Sequence, residues 1–214
     1  MEHPDHPDSG RELEPGPTSR DAGRAPLARL VTEVLAPAPT LAVLVLLVAW
    51  HSAPTAAEAV RWGALAALFV SVMPFVYVVR GVRRGGLTDH HVGVRQQRPV
   101  PLLVGVVSMV IGLVLLVRWG APRDLIALVA VVAVGLASSL LVTLVWKLSI
   151  HAAVVAGAVT VLVLAFGPPL LVSALLVPLV CWARVAVHDH TPAQTLAGAA
   201  LGATVAAVVF SAFR

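Results

Sequence analysis

The chain has 214 residues, 58% of them apolar and only 12% charged, with net charge +4, a pI near 10.5 and a mean hydropathy of +0.91. That balance excludes an ordinary soluble domain, and the scatter of the basic excess excludes a nucleic-acid binder, which needs a concentrated basic stripe. Cys181 is the sole cysteine, so an internal disulfide and a thiolate metal site are excluded as well.

Residues 1–27 are rich in Pro, Asp, Glu, Arg and His with hardly any apolar side chain, too little to bury a core. They read as a disordered tail before a single transmembrane helical domain over 28–214, and they lack the pattern of a signal peptide. From about residue 34 the apolar stretches recur at lengths near the ~20 residues that cross hydrocarbon. In lipid such stretches must be helices, because each backbone group has to be paired within its own segment. No strand-length alternation of the membrane-barrel kind occurs. The predicted fold is therefore an all-α polytopic transmembrane helical bundle. Seven spans are expected, at 34–50, 59–79, 100–118, 124–146, 150–166, 170–187 and 193–212, or six if the first only lies against the membrane. Gly167-Pro168-Pro169 makes a tight break between the fifth and sixth.

The connections between spans are unequally polar. One set carries Arg80, Arg83, Arg84, Asp89, His90, His91, Arg95 and Arg98, then Lys147, Ser149 and His151, then Arg184, His188, Asp189 and His190; the other holds little beyond Arg61, Arg118, Arg123 and Asp124. An even number of spans separates each rich connection from the next, so all three emerge at one face. Fourteen of the fifteen basic residues are Arg, with Lys147 the exception, and Asn is absent, as a high-GC bacterial codon bias would produce. The arginines of the tail and of 80–84 favour a cytoplasmic face, by the bias of basic residues toward that side of an inner (plasma) membrane.

These three clusters resemble the three signature motifs of the type 2 phosphatidic acid phosphatase superfamily, in its divergent bacterial membrane branch. The first, Lys, six residues and Arg-Pro, is matched by Arg98-Pro99 with His91 at the Lys position; it lies within 89–99. The second, Pro-Ser-Gly-His, is matched within 147–151 by Leu148-Ser149-Ile150-His151. The third, an Arg, five residues, a His, three residues and an Asp, is matched within 184–194 by Arg184 and His190, with Gln194 where the family has Asp. Thr195-Leu196-Ala197-Gly198 is also similar to the stretch that opens the family's last helix, and the resemblance covers about residues 89–202.

The resemblance implies a lipid-phosphate phosphatase that works through a phosphohistidine and needs no metal or other cofactor. His190 would be the nucleophile, and His151 the acid for the leaving alkoxide and then the base for water. Arg98 and Arg184 would hold the phosphoryl oxygens, since a guanidinium offers a rigid bidentate fork, with Lys147, Ser149, Arg95 and His91 assisting. Gln194 would stand behind His190, accepting a hydrogen bond without supplying charge. The implied partners are a membrane lipid phosphate as substrate and the bilayer itself. Blander roles compete at each position. Thr191-Pro192-Ala193-Gln194 is also a capping box, Lys147 after Trp146 a snorkelling interfacial pair, and His151 a headgroup anchor. Gly198 and Gly202 form an ordinary small-residue packing face. His188, Asp189 and His190 with His90 and His91 are possible metal ligands without a helical i, i+4 pair. The competing functional class is a non-catalytic protein that binds anionic lipid through the same arginines. A transporter fits less well, because no span carries an ionisable residue near its middle.

Overall fold

The computed structural model describes residues 19–214, and the described residues form helices and turns without a strand. Most of the expected tail lies outside them, but helix α1 opens at Ser19, inside the stretch read as unstructured, and runs to Val34. Helix α2 (Pro37–Ser52) follows after a break at Leu35-Ala36, and the two helices meet at a bend of 43°. Pro37 and Pro39 explain the break: proline lacks the N–H an uninterrupted helix would use and disfavours helical geometry at the preceding residue.

Helix α3 (Ala56–Ala67) continues through a π-helical segment, Leu68–Val72, into α4 (Met73–Arg83). Pro74 removes a donor at this point, and the Phe69 carbonyl freed in the wide turn accepts the Ser108 hydroxyl at 2.7 Å. On the same segment the Ser71 hydroxyl donates to the Ala38 carbonyl at 2.7 Å, which ties the entry of α2 to the middle of this long element. Helices α5 (Pro99–Arg118), α6 (Arg123–Val145) and α7 (Ile150–Phe166) follow, then a 3-10 stretch, Pro168–Leu175, leading into α8 (Leu176–Ala186), and finally α9 (Pro192–Phe213).

Five of these elements are long and apolar enough to cross a membrane: Ala56–Arg83, Arg95–Arg118, Arg123–Val145, Pro168–Ala186 and Pro192–Phe213. The bent pair of α1 and α2 makes a sixth if counted as one span, while α7 is apolar but has only 17 residues. Five helices, or six with the bent pair, thus reach the length and composition of a span; of the seven expected, the first is broken by prolines and the fifth is short. Many large apolar side chains face outward along α5, α6 and α8, among them Val107, Val114, Leu141, Leu176 and Leu179, as a hydrocarbon solvent permits.

The closest helix pair is α7 with α9. A side chain added at Gly198 would collide with the Ser149 carbonyl, and one at Gly202 with the backbone of Ala153. The small-residue face read from the sequence is therefore a seam inside the chain, where the two backbones touch. That contact fixes Ser149 to Ala153, and with them His151, against the start of α9.

Candidate functional site

The three polar connections do meet at one end of the bundle. Arg98, at the start of α5, is buried; its Nε donates to the Val92 carbonyl and its Nη1 to the Leu148 carbonyl, both at 2.8 Å. Val92 holds a left-handed backbone, φ 48°, which is costly for a β-branched residue. The turn around it is secured by Asp89, whose carboxylate accepts the backbone N–H of His91 at 2.8 Å and of Gly93 at 3.1 Å. The strained residue thus presents the carbonyl that receives Arg98.

The Leu148 carbonyl also receives His190, whose Nε2 lies 3.2 Å away. A carbonyl can only accept, so this contact puts the ring proton on Nε2 and leaves Nδ1 as the nitrogen with the lone pair. Nδ1 is buried and has no partner among the described residues. Burial, reinforced by the charges of Arg184, Arg98 and Lys147, pushes the His190 imidazole down to about 3, so the ring is neutral at physiological pH. The backbone N–H of Ser149 donates to the Gln194 carbonyl at 3.2 Å, locking the second connection to the third.

Arg184 closes α8 with 1% of its surface exposed. Its Nη2 donates to the Asp189 carboxylate at 2.6 Å, while Nε and Nη1 are buried without partners among the described residues. This pairing depends on His188, which takes a left-handed conformation, φ 59°, and turns the chain back so that the N–H groups of Asp189 and His190 both reach the Arg184 carbonyl. His151, in the first turn of α7, is 4% exposed, and its Nε2 also lacks a partner among the described residues.

Other predicted site residues have different employment. Gln194 does not stand behind His190: its Oε1 accepts the Thr191 N–H at 3.1 Å, and Thr191 Oγ1 accepts the Gln194 N–H in return, a complete capping box. The orienting acceptor for His190 is the Leu148 carbonyl, which a sequence motif cannot encode because any residue type has one. Arg95 is also diverted: its Nη1 donates to the carbonyls of Thr143 and Leu144, at 3.0 and 2.8 Å, and so caps the end of α6. Ser149 is fully buried as the N-cap of α7, where its hydroxyl accepts the Ala152 N–H. Lys147 is half-buried beside the cluster, and burial together with the charge of Arg98 lowers its pKa. His91 turns its Nε2 to Glu33, 2.9 Å away, and His90 does likewise at 3.3 Å. The metal grouping considered from the sequence thus divides: Asp189 pairs with Arg184, His188 is exposed, and His90 and His91 join Glu33.

Arg98, His151 and His190 line one cavity of ≈ 420 Å³, together with Glu33, His90 and His91. From this polar end it continues between apolar walls that include Leu44, Met109, Val154 and Val161. Val161 lies eleven residues beyond Ile150 on α7, a helical rise of about 16 Å. That depth is close to half the ~30 Å hydrocarbon thickness of a bilayer. Arg184 does not line the cavity, though its charge acts on both histidines. None of the protein-family models, curated proteins or solved structures compared with the chain matches it.

Proposed function

We propose that the protein is a lipid-phosphate phosphatase, hydrolysing a phosphate monoester or pyrophosphate of a membrane lipid through a phosphohistidine on His190. The observation that carries the reading is a single cavity with two buried histidines and a buried arginine at its polar end and an apolar channel one leaflet deep behind them. Such a shape suits an amphiphile with an anionic head. Apolar walls with a few convergent polar groups are the usual build of a small-molecule site.

In this mechanism the lone pair on His190 Nδ1 attacks phosphorus, and the bond from phosphorus to the lipid oxygen breaks with its electrons on that oxygen. His151 gives the departing alkoxide a proton. It then takes one from water, which attacks the phosphohistidine, breaks the P–N bond and releases inorganic phosphate. Arg98, on the cavity wall, supplies positive charge to the phosphoryl oxygens as bonds change, and Arg184, behind the wall, adds its field from outside the cavity. The depressed pKa of His190 suits a nucleophile, since only the neutral ring has a free lone pair. We assign the site to the cytoplasmic face of an inner membrane, following the exposed arginines at 80, 83 and 84.

A second reading, a binder of anionic lipid without turnover, is favoured by one feature: no carboxylate backs His190, and its Nε2 rests on an uncharged carbonyl. Loss of the equivalent charge in the serine-protease triad, a known worked case, slows that enzyme roughly ten-thousandfold. Phosphate release from phosphatidate and from a polyprenyl diphosphate, by the full chain in detergent, separates the two. The phosphatase reading expects release that His190→Ala abolishes. Release that survives His190→Ala, or lipid binding with no release at all, overturns it.

A further inference from the structure

We propose that Glu33, His90 and His91 form a binding site for one divalent cation of the zinc class at the mouth of the cavity, joining α1 to the connection between α4 and α5. The three residues come from places 57 and 58 apart in sequence, yet each presents one ligand atom, and these atoms all lie within 4.8 Å of one another. His90 Nε2 and His91 Nε2 stand 3.3 and 2.9 Å from the same carboxylate oxygen of Glu33. A tetrahedral zinc ion with bonds of ~2.0–2.1 Å has ligand-to-ligand edges of about 3.3 Å. The two edges to Glu33 are within a few tenths of an ångström of that value, and the remaining edge, between the two imidazole nitrogens, is at most 4.8 Å, so seating an ion requires the rings to swing together rather than a new fold.

The donor set selects the metal class. Two imidazoles and one carboxylate suit zinc, cobalt or nickel, whereas magnesium and calcium prefer oxygen ligands throughout. It is also the composition of three-ligand zinc sites that keep a fourth position open. The loop is tied down at this point by Asp89, which accepts the His91 N–H, and the two imidazole rings lie with their centroids 4.0 Å apart.

A second observation points the same way. His151, 4% exposed, has an unpartnered Nε2, lines the same cavity, and sets its ring edge-on to His91 at 5.0 Å between centroids. A buried imidazole without a hydrogen-bond partner is unusual, because such a group loses about 1–3 kcal/mol when left unsatisfied. Beside a metal held by His91 it would face the open coordination position, filled by water or by an oxygen of an anion in the cavity.

This site is independent of the phosphatase reading and is tested without substrate. The full chain, untagged and carrying His3→Ala and His6→Ala so that the tail histidines do not contribute, is stripped with chelator in detergent and titrated with cobalt(II). The expected result is one equivalent bound, with the visible bands of a four- or five-coordinate ion, displaced by zinc and not by magnesium. Glu33→Gln and His90→Ala, both at exposed positions that spare the core, should each weaken cobalt binding at least tenfold, while His188→Ala leaves it unchanged. Absence of cobalt bands in the parent chain overturns the proposal without reference to any variant. So does binding that survives both Glu33→Gln and His90→Ala, or that is lost in His188→Ala.

Discussion

At the turn between α5 and α6, Arg118 and Arg123 stand exposed, and neighbouring Asp124 has only a loose contact with Arg214 at 3.9 Å. Arg61, at the same end of the bundle, lies over the Trp62 ring at 4.1 Å, as an interfacial cation does. At the opposite end Arg98 and Arg184 are almost wholly buried, one tied to two backbone carbonyls and the other to Asp189. The same side chain thus serves two purposes. Taking a guanidinium out of water costs several kcal/mol that only good partners offset, and an arginine that merely fixes topology has no reason to incur it. Even at the polar end the distinction holds, for Arg80, Arg83 and Arg84 remain exposed.

The sharpest way to break this comparison is to remove one arginine from each end. Arg184→Ala should lower kcat/KM for a lipid phosphate roughly a hundredfold, the scale expected when one partner of a desolvated charge pair is lost. Arg123→Ala should change it less than twofold. Equal effects at the two ends would mean that burial does not separate the working arginines from the topological ones.

A smaller effect follows from the burial of His190 and the cations around it. Its folded-state value is about 3, below the ordinary value near 6.5, so between those limits the unfolded chain binds the extra proton. Stability should therefore fall as pH drops from ~6.5 toward ~3. Thermal unfolding in detergent across that range checks this: His190→Gln should flatten the acid dependence, and an unchanged slope in that variant would remove His190 as its source.

The common face of the three polar connections was legible because parity needs only the order of the spans, and Arg98, Ser149, His190 and Gln194 are indeed linked through backbone contacts there. The break in the first apolar run was not, since the length of a run does not register a 43° bend at prolines. Glu33 escaped notice although it is the only acidic residue between 25 and 52, because its partners lie more than fifty positions away. The ion pair of Asp189 with Arg184 was not legible either. A left-handed His188, which sequence does not announce in a non-glycine residue, folds it back onto Arg184. Cavity shape was invisible for a plainer reason: its walls are ordinary Leu, Val and Met.

The smallest expected effect concerns Gln194, where motif and geometry disagree most directly. Read through the motif, its side chain would orient His190, and Gln194→Asp would raise turnover by restoring a charge. In the structure its Oε1 is occupied by the Thr191 N–H, and His190 is held from the other side by Leu148. Gln194→Ala should then act as the loss of half a capping box, costing about 0.5–1 kcal/mol of stability and changing turnover less than about threefold. Gln194→Glu should keep the cap and gain a few tenths of a kcal/mol from a negative charge in the first turn of α9. A fall in turnover of a thousandfold or more in Gln194→Ala, with melting little changed, would place the side chain at the imidazole during catalysis and return the orienting role to residue 194. Retained turnover in Gln194→Ala alongside complete loss in His190→Ala would instead leave the backbone carbonyl of Leu148 as the group that sets the tautomer.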